Sequence, residues 1–129
     1  YNSSYIIYYI KYMIVFGPIV SGEDAVKGLM NIKKPLWNNS GMLFDMGPSK
    51  KHSMWMKNTY IPLDVIFLDE NMRIVGFKEN NKPHSLDSIS INGPSRYILE
   101  MNGGSVKRNN LKINSKIRFF KKKIKLKYI

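Results

Sequence analysis

An apolar block at 55–68, WMKNTYIPLDVIFL, is interrupted by side chains that can do chemistry. Lys57, Asn58 and Asp64 are its members with charged or amide groups. Burying an unpaired charge is expensive, so we expect Lys57 and Asp64 to pair with each other or to bond the intervening turn. In a purely structural interpretation, Asn58 and Thr59 shape that turn, and Asp64 accepts hydrogen bonds from its backbone N–H groups.

The same block also supports a ligand-binding interpretation, because Trp55 adds a flat apolar face beside these polar groups. An aromatic face covers the C–H side of a sugar ring, while charged and amide groups bind its hydroxyls. The predicted ligand is therefore a small hydroxyl- or carboxylate-bearing molecule, carbohydrate-like in character. The predicted site residues are Trp55, Lys57, Asn58, Asp64 and Glu100.

An enzyme is an alternative that these groups leave open. Asp64 or Glu100 could act as a general base, and Lys57 could stabilise a developing anion. The sequence contains no nucleophile elbow, no phosphate-cradling glycine loop and no metal-hydrolase spacing. We therefore favour a non-catalytic binding or accessory module and assign no catalytic residue.

A second group of candidate ligands is His52, Met54 and Met56, which fall at every second position. On a strand they would share one face, and imidazole and thioether groups together suit cuprous copper. Alternating methionines are more typical of core packing, so we expect no metal site and no cofactor. His84 stands alone in a polar loop and is expected to be exposed.

The length and composition fit a single globular domain. The chain has 129 residues, of which 43% are hydrophobic, and it has no cysteine. The absence of cysteine excludes a disulfide framework, a thiolate metal site and a cysteine nucleophile. The apolar content excludes disorder throughout the chain.

The net charge of +12 lies almost entirely in the C-terminal segment. Residues 1–100 hold 11 Lys/Arg and 9 Asp/Glu, a net of +2, whereas residues 101–129 hold 10 Lys/Arg and no acid, a net of +10. Such a tail can contact anionic lipid or nucleic acid, or it can be solvated, and no nucleic-acid motif accompanies it. Docking on an anionic surface is therefore a third functional alternative. The lysines of this tail are Lys121, Lys122, Lys123, Lys125 and Lys127.

Short runs rich in β-branched and aromatic residues predict many short strands. The expected strands are 11–16, 42–44, 52–57, 63–68, 73–78, 97–101 and 116–120, with a hairpin at 65–77. A helix is expected at 22–31, capped by Ser21, with Val26, Leu29 and Met30 on its buried face, and a helical turn is expected around Val106. The predicted fold class is mainly β, a compact single-domain barrel or sandwich with one or two short helices.

Two glycines have structural explanations. Gly28 lies inside the predicted helix, where close packing of the helix on the sheet would explain it. Gly41 can take a positive φ where a loop enters a strand. Neither position implies a ligand.

The start of the chain is apolar over 5–20 apart from Lys11. As a helix this stretch would be too short for a bilayer core, and Gly17 and Pro18 would break it. We divide the chain into an N-terminal lead-in or remnant of a signal or anchor segment (1–11), a β-rich domain (12–120) and a basic tail (121–129).

Several motifs occur in a distinctive order: GLM at 28–30, GMLF at 41–44, WMKNT at 55–59, IPLDVIF at 61–67, Leu99-Glu100 and the Gly104-Ser105 turn. This order resembles the domain-of-unknown-function-192 family over roughly residues 12–120. The resemblance implies a compact β-rich domain, found mostly in bacterial and archaeal proteins that are often exported or membrane-tethered, with no established activity to transfer. Asn114-Ser115 stand where a Gly-Asp turn is usual, and the lysine-rich tail is not a family feature.

Overall fold

The computed structural model describes residues 12–124, so the predicted lead-in at 1–11 and the last residues of the tail lie outside the described part. The described chain forms seven strands and two short helices. In chain order they are β1 Tyr12–Gly17, β2 Ile19–Val20, α1 Gly22–Lys27, β3 Gly41–Lys50, β4 Leu63–Leu68, β5 Ile74–Asn81, β6 Ser95–Asn102, α2 Ser105–Arg108 and β7 Lys116–Lys121. The mainly β fold class is confirmed, as is the hairpin, which is formed by β4 and β5.

The strands form two sheets that pack as a sandwich. A five-stranded sheet has the order β2-β3-β6-β4-β5, and a two-stranded sheet joins β1 to β7. Pairing is antiparallel among β3, β6, β4 and β5, and parallel in the pairs β2–β3 and β1–β7. Of the two predicted architectures the sandwich is the one found. The five-stranded sheet does not close into a barrel within the described residues, because its edges β2 and β5 do not pair with each other.

Alternation along the strands gives the five-stranded sheet two buried faces. The sandwich face packs against β1, β7 and α2, and it carries Leu43, Ile66 and Leu99. The opposite face, which we call the loop face, carries Phe44 and Val65 and is covered by connecting segments. Neighbouring residues of one strand therefore meet entirely different parts of the molecule.

Gly17 and Gly41 lie where the end of β1 approaches the start of β3. A Cβ atom on Gly17 would overlap the carbonyl oxygen of Gly41, and a Cβ on Gly41 would lie 2.7 Å from the carbonyl oxygen of Glu100. The positive φ expected for Gly41 is wrong, since its backbone is not in that region. Close backbone approach explains this glycine instead.

The first helix is shorter than the sequence predicts. It ends at Lys27 and has no buried residue, and Val26 is 68% exposed rather than part of a buried face. Gly28 ends the helix with φ 48°, and a Cβ there would lie 3.1 Å from the Phe44 ring. The close packing expected at Gly28 is therefore present, but the chain has already left the helix when Leu29 enters the core.

The predicted strand at 52–57 is wrong. The segment makes only one isolated bridge, in which Met54 and Ile89 exchange N–H···O bonds of 2.9 and 2.8 Å. Met56 is fully buried, and the Nε2 atom of His52 lies 2.9 Å from the carbonyl oxygen of Pro48. Packing and a local hydrogen bond therefore account for the alternating pattern of these residues.

No helix in residues 12–124 is long and apolar enough to cross a membrane.

Candidate functional site

A cleft of about 470 Å³ opens on the loop face of the five-stranded sheet. Its walls come from α1, from β3 and from the segment that replaces the predicted strand. Phe44 and Glu100 are buried and lie at its floor, whereas Val26, Trp55 and Leu86 are exposed and lie at its rim. The cleft therefore leads from solvent to the surface of the central strand β6.

Glu100 is the polar group at the floor of the cleft. It is 4% exposed, and in the strand register it lies between Met42 of β3 and Val65 of β4, which point to the same face. None of the described residues forms a hydrogen bond or an ion pair with its carboxyl, and burial raises the pKa of Glu100 from 4.5 to about 8. The side chain is therefore protonated at neutral pH and can donate one hydrogen bond.

Trp55 and Lys57 form a pair at the rim. The Nζ atom of Lys57 lies 5.1 Å from the centroid of the Trp55 ring, a cation–π distance, and Trp55 is 43% exposed. One face of the indole is thus occupied by the lysine. Below them, the Thr59 hydroxyl donates to the carbonyl oxygen of Lys57 over 3.1 Å and holds the turn.

Asn58 shapes this turn and does not line the cleft. It has φ 53°, a conformation that asparagine tolerates better than most residues, and its carbonyl oxygen accepts from the N–H of Asn31 over 2.8 Å. The predicted turn-forming role of Asn58 is confirmed. Its side chain is not part of the lining of the cleft.

Asp64 lies on the sandwich face, opposite to Glu100. Its carboxylate is fully buried and accepts three backbone N–H groups, from Asn80 at 2.8 Å, Gly104 at 3.2 Å and Val106 at 2.8 Å. The alternation of β4 separates it from the cleft. It therefore has a structural role, and it fastens the end of β5 and the start of α2 to the sheet.

The expected pair between Lys57 and Asp64 is not formed. Lys57 contacts Trp55 instead, and Asp64 satisfies its charge with backbone N–H groups of distant segments rather than those of the intervening turn. Of the five predicted site residues, the cleft thus brings together Trp55, Lys57 and Glu100. Asn58 and Asp64 do not line it.

Asp45 is a cleft residue that the sequence analysis missed. Its carboxylate accepts from Arg96 Nε at 3.1 Å and from the N–H of Gly47 at 3.1 Å. The hydrogen bond from Arg96 lowers the pKa of Asp45, and the same bond raises the pKa of Arg96. No local sequence pattern signals this ion pair, since its partners are 51 positions apart.

No group of three or more His, Asp or Glu side chains in 12–124 is arranged to hold an ion. The Nε2 atom of His52 is engaged with the backbone, and His84 is exposed, as expected, with its ring 4.5 Å from the Tyr60 ring.

Two solved structures are similar to the chain. A crystal structure of a protein of unknown function from Novosphingobium aromaticivorans is 32% identical with a TM-score of 0.72, covering 76% of this chain and 70% of that one. A protein from Sinorhizobium meliloti, described as a candidate transcription regulator, is 36% identical with a TM-score of 0.68, covering 80% of this chain and 76% of that one. None of the curated proteins compared with the chain is similar to it.

A family model described as "Uncharacterized ACR" matches residues 20–119. The match runs from β2 to β7 and so includes every strand of the five-stranded sheet, the cleft and both buried carboxyls. The chain belongs to the domain-of-unknown-function-192 family.

Proposed function

We propose that this domain is a non-catalytic module that binds a small molecule in the cleft, with Glu100 as the group that recognises it. The observation that carries the proposal is a carboxyl that is buried at the floor of the cleft and has no protein partner among the described residues. Buried polar groups in folded proteins nearly always have partners. A ligand in the cleft would supply the missing hydrogen bond.

The energetic argument points the same way. Raising the pKa of Glu100 from 4.5 to about 8 corresponds to roughly 5 kcal/mol of preference for the neutral form. Glutamine or methionine at this position would avoid the part of this cost that is present at pH 7, about 3 kcal/mol, while filling a similar volume. A group that destabilises the fold in this way is typical of binding sites, where function and stability compete.

The lining of the cleft defines the class of ligand. Phe44, Leu29 and Met54 present apolar surface, and the neutral Glu100 offers one donor and one acceptor. This combination suits a compact molecule with an apolar or ring-shaped body and a hydroxyl, carbonyl or amide group at the buried end. Lys57 at the rim could bind an anionic group at the other end of the same ligand.

A carbohydrate is one such ligand, and it remains part of the proposal. A sugar ring presents an apolar face and hydroxyls, but Lys57 already lies over one face of Trp55. A sugar would therefore stack on the other face of the indole or displace the lysine. Replacing Lys57 by alanine should then strengthen or preserve stacking, rather than abolish it.

We do not propose catalysis. The enzyme alternative uses Asp64 or Glu100 as general base beside Lys57, and only a base that lies near Lys57 could share a substrate with it. The sheet separates Asp64 from the cleft, because Asp64 and Glu100 project to opposite faces of β4 and β6. Asp64 also has its carboxylate occupied by three N–H groups.

Fluorescence of Trp55 provides a direct test. The chain has two tryptophans, so a Trp37→Phe background leaves Trp55 as the single reporter at the rim. Glucose, N-acetylglucosamine, glucuronate, benzamide and octanoate would be titrated while emission and thermal midpoint are recorded. A ligand at about 100 times its dissociation constant should stabilise the fold by about 2.7 kcal/mol.

The matched pair of variants is Glu100→Met and Glu70→Met, which makes the same substitution at the cleft floor or in an exposed turn. We expect Glu100→Met to weaken binding by at least about tenfold, since a lost buried hydrogen bond costs roughly 1–3 kcal/mol. Glu70→Met should leave binding unchanged. Equal affinity in both variants, or silence of the whole panel, would contradict the proposal for these ligand classes.

A further inference from the structure

Two groups of exposed apolar side chains in residues 12–124 each share one surface, and the first of these surfaces is the rim of the cleft. The second is the two-stranded sheet, where Tyr12 is 53% exposed, Ile14 46% and Phe120 45%. Contiguous exposed apolar surface on a small domain is typical of an interaction site. The proposed ligand-binding function makes no use of this second surface.

The register of β1 and β7 places these side chains on one face. Met13, Val15 and Ile117 point inward and are buried in the core of the sandwich. The alternate residues therefore point outward. The outer face, as we call it, consists of three register pairs: Tyr12 with Lys116, Ile14 with Arg118, and Phe16 with Phe120.

The outer face is basic as well as apolar. Lys116 and Arg118 lie beside Tyr12 and Ile14, and Lys122 continues the pattern, with its Nζ atom 5.0 Å from the Phe16 ring centroid. Lys121 and Lys123 are exposed at the same end of the strand. Neither β1 nor any residue after Glu100 carries an acidic side chain.

We propose that the outer face docks on the surface of an anionic lipid bilayer. Tyrosine, phenylalanine and isoleucine partition into the boundary between headgroups and acyl chains, while lysine and arginine contact the anionic headgroups above it. Each lysine or arginine near such a surface contributes to the attraction. The outer face presents apolar and basic groups side by side, so it is complementary to this boundary in both polarity and charge.

The aromatic geometry favours lipid over nucleic acid. Single-stranded nucleic acid is bound by aromatic rings whose faces are free to stack on bases. Here the Phe16 and Phe120 rings stack on each other at 5.7 Å, and Lys122 lies over Phe16. The aliphatic Ile14, in the neighbouring outward pair with Arg118, has no ring to offer a base, but it can enter the apolar boundary of a bilayer.

Sedimentation with lipid vesicles tests the proposal on the full chain. One set of vesicles contains phosphatidylcholine alone, and the other also contains about 30% phosphatidylserine, which provides the negative surface potential. We expect binding to the second set only, weakened at least about tenfold when the salt concentration rises from about 0.1 M to about 0.5 M.

Two double variants separate the contributions of the outer face. Ile14→Thr with Phe120→Thr removes apolar contacts and leaves every charge in place. Arg118→Glu with Lys122→Glu reverses two charges. Each double variant should weaken vesicle binding at least about tenfold while keeping the thermal midpoint within a few degrees of wild type, because these side chains are at the surface.

The matched controls make two changes of the same kind elsewhere: Trp37→Thr with Tyr60→Thr at exposed positions outside the cleft and the outer face, and Lys78→Glu with Lys82→Glu on and beyond β5. Both controls should bind vesicles as wild type does. Binding that survives both outer-face variants but is lost when residues 121–129 are deleted would overturn the proposal in favour of the tail alone. Tighter binding of a single-stranded oligonucleotide than of vesicles would also overturn it. So would a chain that does not bind vesicles but forms a dimer that Ile14→Thr with Phe120→Thr converts to monomers.

Discussion

Two buried carboxyls in neighbouring strands have opposite surroundings. Asp64 of β4 is fully buried and Glu100 of β6 is 4% exposed, and the two strands are paired directly. Asp64 accepts three backbone N–H groups, whereas Glu100 has no hydrogen-bond partner among the described residues. Burial alone therefore does not show whether a carboxyl is bonded within the protein, but the number of its hydrogen-bond partners does.

The difference follows from the strand register and from the loops that reach each face. Asp64 pairs with Met101 and projects to the sandwich face, where Gly104 (φ 89°) and Asn80 (φ 49°) turn their N–H groups toward it. Glu100 pairs with Val65 and projects to the loop face among apolar side chains. One residue of offset along the strand therefore decides whether a carboxyl meets backbone N–H groups or apolar side chains.

Removing Asp64 should have the largest effect on stability. Asp64→Ala would leave three N–H groups without an acceptor, and hydrogen bonds to charged groups contribute roughly 1.5–3 kcal/mol each. We expect the free energy of unfolding to fall by at least about 4 kcal/mol in urea denaturation. Asp64→Asn, which keeps one carbonyl acceptor, should lose about half as much.

Asp69 is the matched control for this prediction. Its carboxylate also accepts backbone N–H groups, from Asn71 at 2.8 Å and Arg73 at 3.0 Å, but it lies in the partly exposed β4–β5 turn. Asp69→Ala should cost only about 1 kcal/mol, because water can replace the lost acceptor. Equal losses at the two positions would show that burial does not amplify the role of Asp64.

Glu100 should give the next largest effect, and its sign is opposite. Its folded pKa is raised from 4.5 to about 8, so between these values the unfolded chain releases a proton that the folded chain retains. The stability contributed by the protonated group is full below pH 4.5 and is lost as pH rises toward 8, at up to about 1.4 kcal/mol per pH unit. At pH 7 the loss amounts to about 3 kcal/mol.

Glu100→Gln tests this effect, because glutamine matches the neutral acid in shape and does not titrate. The variant should be about 3 kcal/mol more stable than wild type at pH 7 and equally stable at pH 4, as measured by urea unfolding across pH. Parallel pH profiles for the two proteins would show that Glu100 ionises normally and would remove the energetic support for the proposed function.

The sequence predicted the surroundings of Asp64 better than it predicted the cleft above Glu100. Of the two interpretations of Asp64, the structural one, a carboxylate that accepts from backbone N–H groups, is correct, whereas the binding one places it in a cleft that it does not line. The partners were wrong, because they come from residues 16, 40 and 42 positions away rather than from the adjacent turn. Local patterns predict that a buried charge must be satisfied, but not which distant segment satisfies it.

The cleft depends on features that periodicity does not encode. The alternation of His52, Met54 and Met56 is typical of a strand, yet the chain there makes a single bridge and then turns at Asn58. The spacing of apolar residues after 22 is typical of a longer helix, but the positive φ of Gly28 ends it. Both of these segments line the cleft. The strands of the sheet were therefore predicted better than the site on its loop face.

A third carboxyl, Asp45, should give the smallest effect and completes the series. It lines the cleft but is about one-third exposed and is paired with Arg96, whose hydrogen bond lowers the pKa of Asp45. Its stabilising contribution is therefore present above the ordinary aspartate pKa of 3.8 and is lost as pH falls through the lower folded value, the reverse of Glu100. Because solvent screens the pair, Asp45→Asn should cost less than about 1 kcal/mol at pH 7 in urea unfolding, and the cost should shrink further in high salt. If Asp45→Asn lowered the free energy of unfolding as much as Asp64→Asn does, the stabilisation by a carboxyl in this fold would depend on pairing with arginine rather than on burial from water.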